Sequence, residues 1–271
     1  GNGRNEEILA EALGVMRNQL TLTTKCGVYI KHTGGSGYLG HPDYIRQSCD
    51  ASLYRLKTDV IDLWYMHRLD PNIPVEESIG AMGRCVDAGK VRAIGVCEVK
   101  PETLRRANAT YPITALQSEY SLWTRDPEGE LLDTSRELGI SLVSYSPLGR
   151  GFLTGAIKTQ DDLYDDDRRT IFPRFSEENL FRNQRLLDTV RDIADSKGCK
   201  PGQIALAWVL AQGNDIVPIP GSRHITHIQE NIGAANIELS KYDLAALDQA
   251  FPKNAASGDR VPEIQLPYIN Q

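Results

Sequence analysis

The chain has 271 residues, with 30 Lys and Arg against 36 Asp and Glu, a formal net charge of −6. Hydrophobic residues make up 41% and charged ones 24%, a globular balance that speaks against disorder, and the acid excess without a Lys/Arg run speaks against nucleic-acid binding. No stretch reaches 18 apolar residues, and the five cysteines are widely spaced with no CxxC, so the expectations are no membrane span, a reducing cytoplasmic setting, and neither a disulfide framework nor a zinc site.

In chain order, Asn5 reads as the cap of a helix over residues 6–16, and residues 19–25 (Gln-Leu-Thr-Leu-Thr-Thr-Lys) as the first strand. A helix over 43–56 follows Pro42. Residues 60–67 (Val-Ile-Asp-Leu-Trp-Tyr-Met-His) form the second strand and 75–88 the next helix, stopped by Gly89. Strands over 91–96, 115–120 and 140–145 alternate with helices over 101–108 and 128–138. One long helix is predicted over 176–197 and another over 201–212, before a sixth strand over 215–219. Pro or Ser/Asn/Asp at helix starts and Gly at helix stops supply the punctuation. Mostly apolar strands alternating with helices mean a parallel sheet with right-handed crossovers.

A doubly wound dinucleotide fold needs GxGxxG between a strand and a helix, and the nearest run, Gly34-Gly-Ser-Gly37, follows no apolar strand. The predicted strands instead end in polar groups: Lys25, His67, Cys97-Glu98, Gln117, Tyr145-Ser146 and Gly221-Ser222-Arg223. That is the habit of a (β/α)₈ TIM barrel, whose chemistry sits at strand C-termini. Six strands are readable where eight close a barrel. Lys25 reads as a Schiff-base amine or as a cation lowering a neighbour's pKa, against a lysine snorkelling to solvent. His67 reads as a donor to a carbonyl oxygen, against a satisfied structural histidine. The Gly-rich stretch 145–155 and the loop Pro220-Gly-Ser-Arg-His224, which enters a helix, suit phosphate binding. The acidic run 161–169 reads as a solvated, mobile excursion without the fixed geometry of a metal site.

Taken together, Leu22-Thr-Thr-Lys-Cys-Gly27, Thr58-Asp-Val-Ile-Asp-Leu-Trp-Tyr-Met-His67, Gly89-Lys-Val-Arg-Ala-Ile-Gly-Val96, Leu116-Gln-Ser-Glu-Tyr-Ser121, Tyr145-Ser-Pro-Leu-Gly149 and Ile219-Pro-Gly-Ser222 resemble the aldo-keto reductase superfamily over essentially the whole chain. The stretch 115–127 is similar to the branch of perakine reductase and many microbial and fungal reductases. The resemblance implies one (β/α)₈ domain spanning residues 1–271 and reversible hydride transfer between NADP(H) and a small-molecule aldehyde, ketone or alcohol. By it, Lys25 and His67 are catalytic, while Cys97, Glu98 and Gln117 lie against the nicotinamide carboxamide. Tyr145 stacks on the ring, Ser146, Leu148 and Arg150 meet the pyrophosphate, and Gly221, Ser222 and Arg223 hold the 2′-phosphate. His227, Glu230 and Asn231 surround the adenine.

The family's catalytic Asp and Tyr would precede Gly1, because Gly1-Asn-Gly-Arg-Asn-Glu-Glu7 resembles the segment just after that Tyr. The expectation is a longer native polypeptide whose first two strands, about 30 residues or more at the size of a βαβ unit, lie upstream. The alternative is an NADPH-binding regulatory or redox-sensing member without the Tyr acid. Cys97 stands where a serine is usual in this branch, and a thiol is the weaker donor. Gly221 stands where many members carry Lys, leaving Arg223 as the main candidate for discriminating NADPH from NADH. Residues 32–38, 123–125 and 156–174 are the stretches expected to set the substrate, with Trp123 as a pocket-lining candidate.

Overall fold

The structure is a computed structural model that describes residues 3–30 and 36–269. Its elements run α1 (Arg4–Leu13), β1 (Thr23–Cys26), β2 (Val28–Ile30), β3 (Ser36–Tyr38), α2 (Pro42–Leu56), β4 (Ile61–Met66), α3 (Val75–Asp87), β5 (Val91–Cys97) and α4 (Pro101–Thr110). They continue with β6 (Ile113–Glu119), α5 (Glu130–Glu137), β7 (Ser141–Tyr145), α6 (Glu177–Asn183), α7 (Asp188–Lys197), α8 (Pro201–Ala211), β8 (Ile216–Ile219), α9 (Ile225–Gly233) and α10 (Lys241–Ala250). Six strands form a sheet in the order β1-β4-β5-β6-β7-β8. This is the α/β architecture read from the alternating pattern. Among the described residues, no pairing of β1 with β8 closes the sheet into a barrel.

The chain divides into two compact units. One comprises the chain up to Gln117, residues 133–141 and the end from Pro267, and the other comprises residues 118–132 and 142–266. In the first, β1, β4 and β5 pair in parallel, with Lys25 opposite Tyr65 and Tyr65 opposite Gly95. Trp64, Tyr65 and Met66 are consecutive and all at most 1% exposed. A strand buried on both faces needs no polar alternation, which is why this stretch reads as a continuous apolar run. Gly95 is required by its neighbour: a Cβ there would lie 2.6 Å from the Tyr65 ring.

In the second unit β7 pairs with β8 in parallel, Tyr145 opposite Ile219. Six consecutive residues of α8, Ile204 to Val209, are buried. Trp208 among them donates Nε1–H to Asp248 on α10 at 3.2 Å.

Several boundaries differ from the sequence reading. Gly3, at φ 87°, caps α1 without a side-chain bond, so Asn5 lies inside the helix instead of capping it. Residues Gly14–Gln19 coil into a 3₁₀ turn, and the first strand begins only at Thr23. The long helix predicted over 176–197 is α6 and α7 joined by a 3₁₀ turn at Gln184–Leu187. Gln184 there turns its amide to the carbonyls of Ile157 and Lys158, at 2.9 and 3.3 Å. Of the substrate-loop candidate 32–38, residues 32–35 lie outside the described residues, and 36–38 form β3, antiparallel to β2. No described helix is long and apolar enough to cross a membrane.

Candidate active site and cofactor cradle

In the first unit the strand ends gather the predicted residues. His67 follows β4, and its backbone N–H donates to the Cys26 carbonyl at 2.8 Å, which ties it to the end of β1. On the neighbouring strand β1, the Lys25 ammonium lies over the Tyr65 ring, 5.7 Å from its centroid. The Tyr65 phenol hydrogen-bonds Gln117, and burial holds its pKa above the ordinary phenol value. Burial, then the charges of Arg68 and Lys25, pull His67 down to about 3. Its imidazole is therefore neutral at physiological pH, with one N–H to donate.

Cys97 ends β5 opposite Gln117 of β6. It is 2% exposed, and burial pushes its thiol up to about 12, against the pull of Lys25 and Arg68. It is a neutral S–H, not a nucleophilic thiolate. Glu98 then turns with φ 52°, and its N–H donates to the Gln117 carbonyl at 3.0 Å. Lys25, His67, Cys97, Glu98 and Gln117 thus share one end of the parallel strands.

The second unit holds the predicted phosphate residues. Tyr145 ends β7 half-buried. The following loop is a run of left-handed backbone: Ser146 at φ 50°, Gly149 at 55°, Arg150 at 56° and Gly151 at 98°. The Leu148 carbonyl accepts from the N–H groups of Gly151 and Leu153, at 3.0 and 3.1 Å. A Cβ on Gly149 would come within 2.9 Å of Trp123. Together with Glu98, three of the five non-glycine residues described with positive φ are predicted cofactor residues. Backbone held in that region costs about 1–3 kcal/mol per residue and persists only where its surroundings enforce it.

At Arg150 the holding group is one the sequence reading did not single out. Glu119, 3% exposed, accepts from Arg150 Nη2 at 2.9 Å and from Thr124 Oγ1 at 3.0 Å. The Arg150 guanidinium also lies 4.4 Å from the Phe172 ring centroid, and Arg169 donates to the Arg150 carbonyl at 2.9 Å. Arg150 was expected on the pyrophosphate, yet its guanidinium is engaged by Glu119. Trp123, the pocket-lining candidate, is 4% exposed, stacks on Phe152 at 4.0 Å and meets Phe175 edge-on at 5.5 Å, so most of its ring is packed in the interior. The acidic run keeps Asp161, Asp162, Asp165 and Asp166 exposed as predicted. Leu163 within it and Phe172 and Phe175 after it are buried, however, so the segment is anchored at several points.

After β8, Ser222 Oγ bonds the His224 backbone, donating to its carbonyl at 2.9 Å and accepting its N–H at 3.3 Å. His224 caps α9 without a side-chain hydrogen bond, so the first-turn N–H groups of the helix are not satisfied by a cap and can meet an anion. Arg223 is exposed, with its guanidinium 5.9 Å from the Tyr164 ring centroid. A Cβ at Gly221 would meet nothing within 4 Å, so space does not demand glycine there. His227 is exposed and stands edge-on to His224 at 5.1 Å, one turn ahead of half-buried Glu230 and Asn231. The Glu230 carbonyl accepts from Gln203 at 3.0 Å.

Sequence reasoning passed over Tyr65, Arg68 and Glu119. Each sits inside or beside a strand stretch taken as structural, and only three-dimensional neighbours reveal it.

The sequence pattern of the Aldo/keto reductase family matches residues 1–251. The chain is similar to "Probable aldo-keto reductase 1" of Glycine max, 41% identical over 261 residues, covering 96% of this chain and 75% of that one. It is also similar in structure to the glycerol dehydrogenase of Gluconobacter oxydans, with a TM-score of 0.86 at 26% identity, covering 95% of this chain and 80% of that one. An aldo/keto reductase from Klebsiella pneumoniae, solved in complex with NADP and acetate, gives a TM-score of 0.71 at 25% identity, covering 96% of this chain and 79% of that one. With its sequence pattern matched over most of its length and a relative 41% identical over 96% of it, this chain belongs to the aldo/keto reductase family.

Proposed function

We propose that this protein reduces an aldehyde or ketone to the alcohol, reversibly, with NADPH as the hydride donor. The observation that carries the reading is the joint placement of Lys25 and neutral His67 at adjacent strand ends. The NADP in the Klebsiella pneumoniae relative supports the cofactor choice. The residues of this chain fit such a group in each unit. Buried Cys97, Glu98 and Gln117 offer a fixed polar surface of the kind a carboxamide needs. The Ser222-Arg223 turn, with Ser222 half-buried and Arg223 exposed, lies ahead of uncapped α9 and offers a hydroxyl, a guanidinium and backbone N–H groups to a phosphate.

When bound, the nicotinamide supplies the hydride and takes it back in the reverse direction. The chain's own residues handle charge and orientation. As the carbonyl carbon is reduced, negative charge builds on oxygen and needs donors already in place. His67, neutral and tethered through its backbone to Cys26, donates one N–H toward that oxygen. Lys25 stabilises a phenolate nearby and so lowers the pKa of a tyrosine that would otherwise be a poor acid, ordinary value about 10. The family resemblance implies such a tyrosine, with an aspartate that pairs with Lys25.

The test is cofactor discrimination. Arg223→Ala should raise the KM for NADPH about ten-fold or more and that for NADH little, since a charge-assisted hydrogen bond to the 2′-phosphate is what separates the two. Equal changes for both cofactors would remove Arg223 from the phosphate site.

A further inference from the structure

Among the described residues the charges around His67 do not balance. Arg68 follows it, half-buried, and donates Nη1 to the His67 carbonyl at 2.6 Å. Among the described residues no carboxylate forms an ion pair with Arg68. Other part-buried arginines of the same unit are paired: Arg17 with Asp62 at 2.7 Å and Arg55 with Glu6 at 2.6 Å. Asp70, two residues on, is occupied elsewhere, accepting from the Gly40 and Asn72 N–H groups at 3.1 and 3.0 Å and from the Asn72 side chain at 3.1 Å. A guanidinium carries five N–H donors, and the only hydrogen bond described for this one uses Nη1. Its charge acts on both the His67 imidazole and the Cys97 thiol, the groups placed nearest the reacting carbonyl and the carboxamide. Lys25 adds a second cation at the adjacent strand end. Pairing Lys25 with an aspartate, as the family resemblance implies, would still leave Arg68 without a carboxylate among the described residues.

A half-buried cation held without a partner is unfavourable on its own, and an anion that meets it there recovers the loss. We infer that Arg68 is a specificity-determining residue that receives a carboxylate on the carbonyl substrate, so that aldehydes and ketones bearing a carboxylate are preferred over neutral ones of the same shape. The inference rests on the reductase reading of the same site. It adds a binding contact away from the reacting oxygen, and the hydride and proton steps are unchanged by it. A guanidinium suits this role because it grips a carboxylate with two parallel N–H bonds, which a lysine cannot do.

The experiment compares 4-carboxybenzaldehyde with its methyl ester, two substrates with the same ring and aldehyde. With NADPH in excess, the unmodified protein should show kcat/KM for the carboxylate about ten-fold or more above that for the ester. Arg68→Gln should bring the ratio close to one, and Arg68→Lys should keep part of it. A purely structural role for Arg68 would depress both substrates together and leave the ratio intact, which overturns the inference, as does an unmodified protein with no preference. Calorimetric titration of the two aldehydes into the protein loaded with NADP⁺, which has no hydride to give, separates this inference from the reading beneath it. Turnover of neither aldehyde would sink the reductase reading. Tighter binding of the carboxylate, lost in Arg68→Gln, would sustain the anion site even then, and equal binding would end it.

Discussion

The two units hold their candidate residues by opposite means. In the first, Lys25, His67, Cys97 and Gln117 are carried by strands or by residues directly after them, and burial tunes them: His67 is drawn down to about 3 and Cys97 pushed up to about 12. In the second, Ser146, Leu148, Arg150 and the 221–231 stretch sit on loops and an exposed helix: left-handed backbone at Ser146, Arg150 and their glycines shapes the first loop, and a Ser222–His224 hydrogen-bonded turn leads into α9. On the proposed function, the difference follows from two tasks. Polarising a carbonyl needs a low-dielectric, fixed environment. Holding phosphates needs many N–H groups brought to a surface that the cofactor can reach.

The most severe way to break the comparison is to remove the tie. Glu119 is buried and bound to Arg150 and Thr124, and Arg260 Nη1 stands 3.9 Å from it. Glu119→Ala strands the Arg150 charge and should lower the unfolding free energy by about 3–5 kcal/mol, the cost of breaking a buried ion pair, measured by urea denaturation. NADPH affinity should fall with it, because the backbone from Ser146 to Gly151 loses its constraint. A loss below about 1 kcal/mol, as for an exposed ion pair, would show that the loop holds its shape without Glu119.

The second prediction tests burial in the first unit. His67 has its folded pKa below its unfolded value, so between about 3 and about 6.5 the unfolded chain binds a proton that the folded chain refuses. Its contribution is present above pH 6.5 and is lost as pH falls toward 3, at up to about 1.4 kcal/mol per pH unit. The gap in unfolding free energy between the unmodified protein and His67→Gln should therefore shift in favour of the variant from pH 6.5 to pH 4. A constant gap over that range would mean that His67 titrates normally and is not held neutral.

These two residues also mark how far sequence alone reaches. The strand ends were legible because a buried parallel strand is a continuous apolar run, and a polar residue at its end, such as His67 after Trp64-Tyr65-Met66, stands out against it. The loops after β7 and β8 were legible through their Gly, Ser and Arg content. Glu119 was not: it reads as one more position in the strand motif Leu116-Gln-Ser-Glu-Tyr-Ser121, and its partners are 5 and 31 residues away. The break between α6 and α7 was hidden because Leu180, Leu187 and Val190, all buried, keep a near-helical spacing through the tighter 3₁₀ turn. Trp123 could be core or rim from its sequence neighbours, and only its stacking on Phe152 decides for the core.

The smallest effect sharpens the comparison most, because it applies the same change to both units. Ser146 and Glu98 share a left-handed backbone, with φ 50° and 52°. Glycine adopts that region without steric cost, while it enlarges the freedom of the unfolded chain. At Ser146, half-buried in a loop, these two terms nearly cancel, and Ser146→Gly should change stability by less than about 1 kcal/mol. The lost hydroxyl should still weaken NADPH binding a few-fold. At Glu98, 1% exposed and bonded through its N–H to Gln117, glycine relieves the same backbone but deletes a buried side chain. Glu98→Gly should therefore destabilise by more than about 1 kcal/mol, the cost of leaving buried polar partners unmet. Paired urea denaturation curves read the contrast directly. Equal changes at both positions would mean that backbone strain alone governs them, and that burial does not separate the two units at these residues.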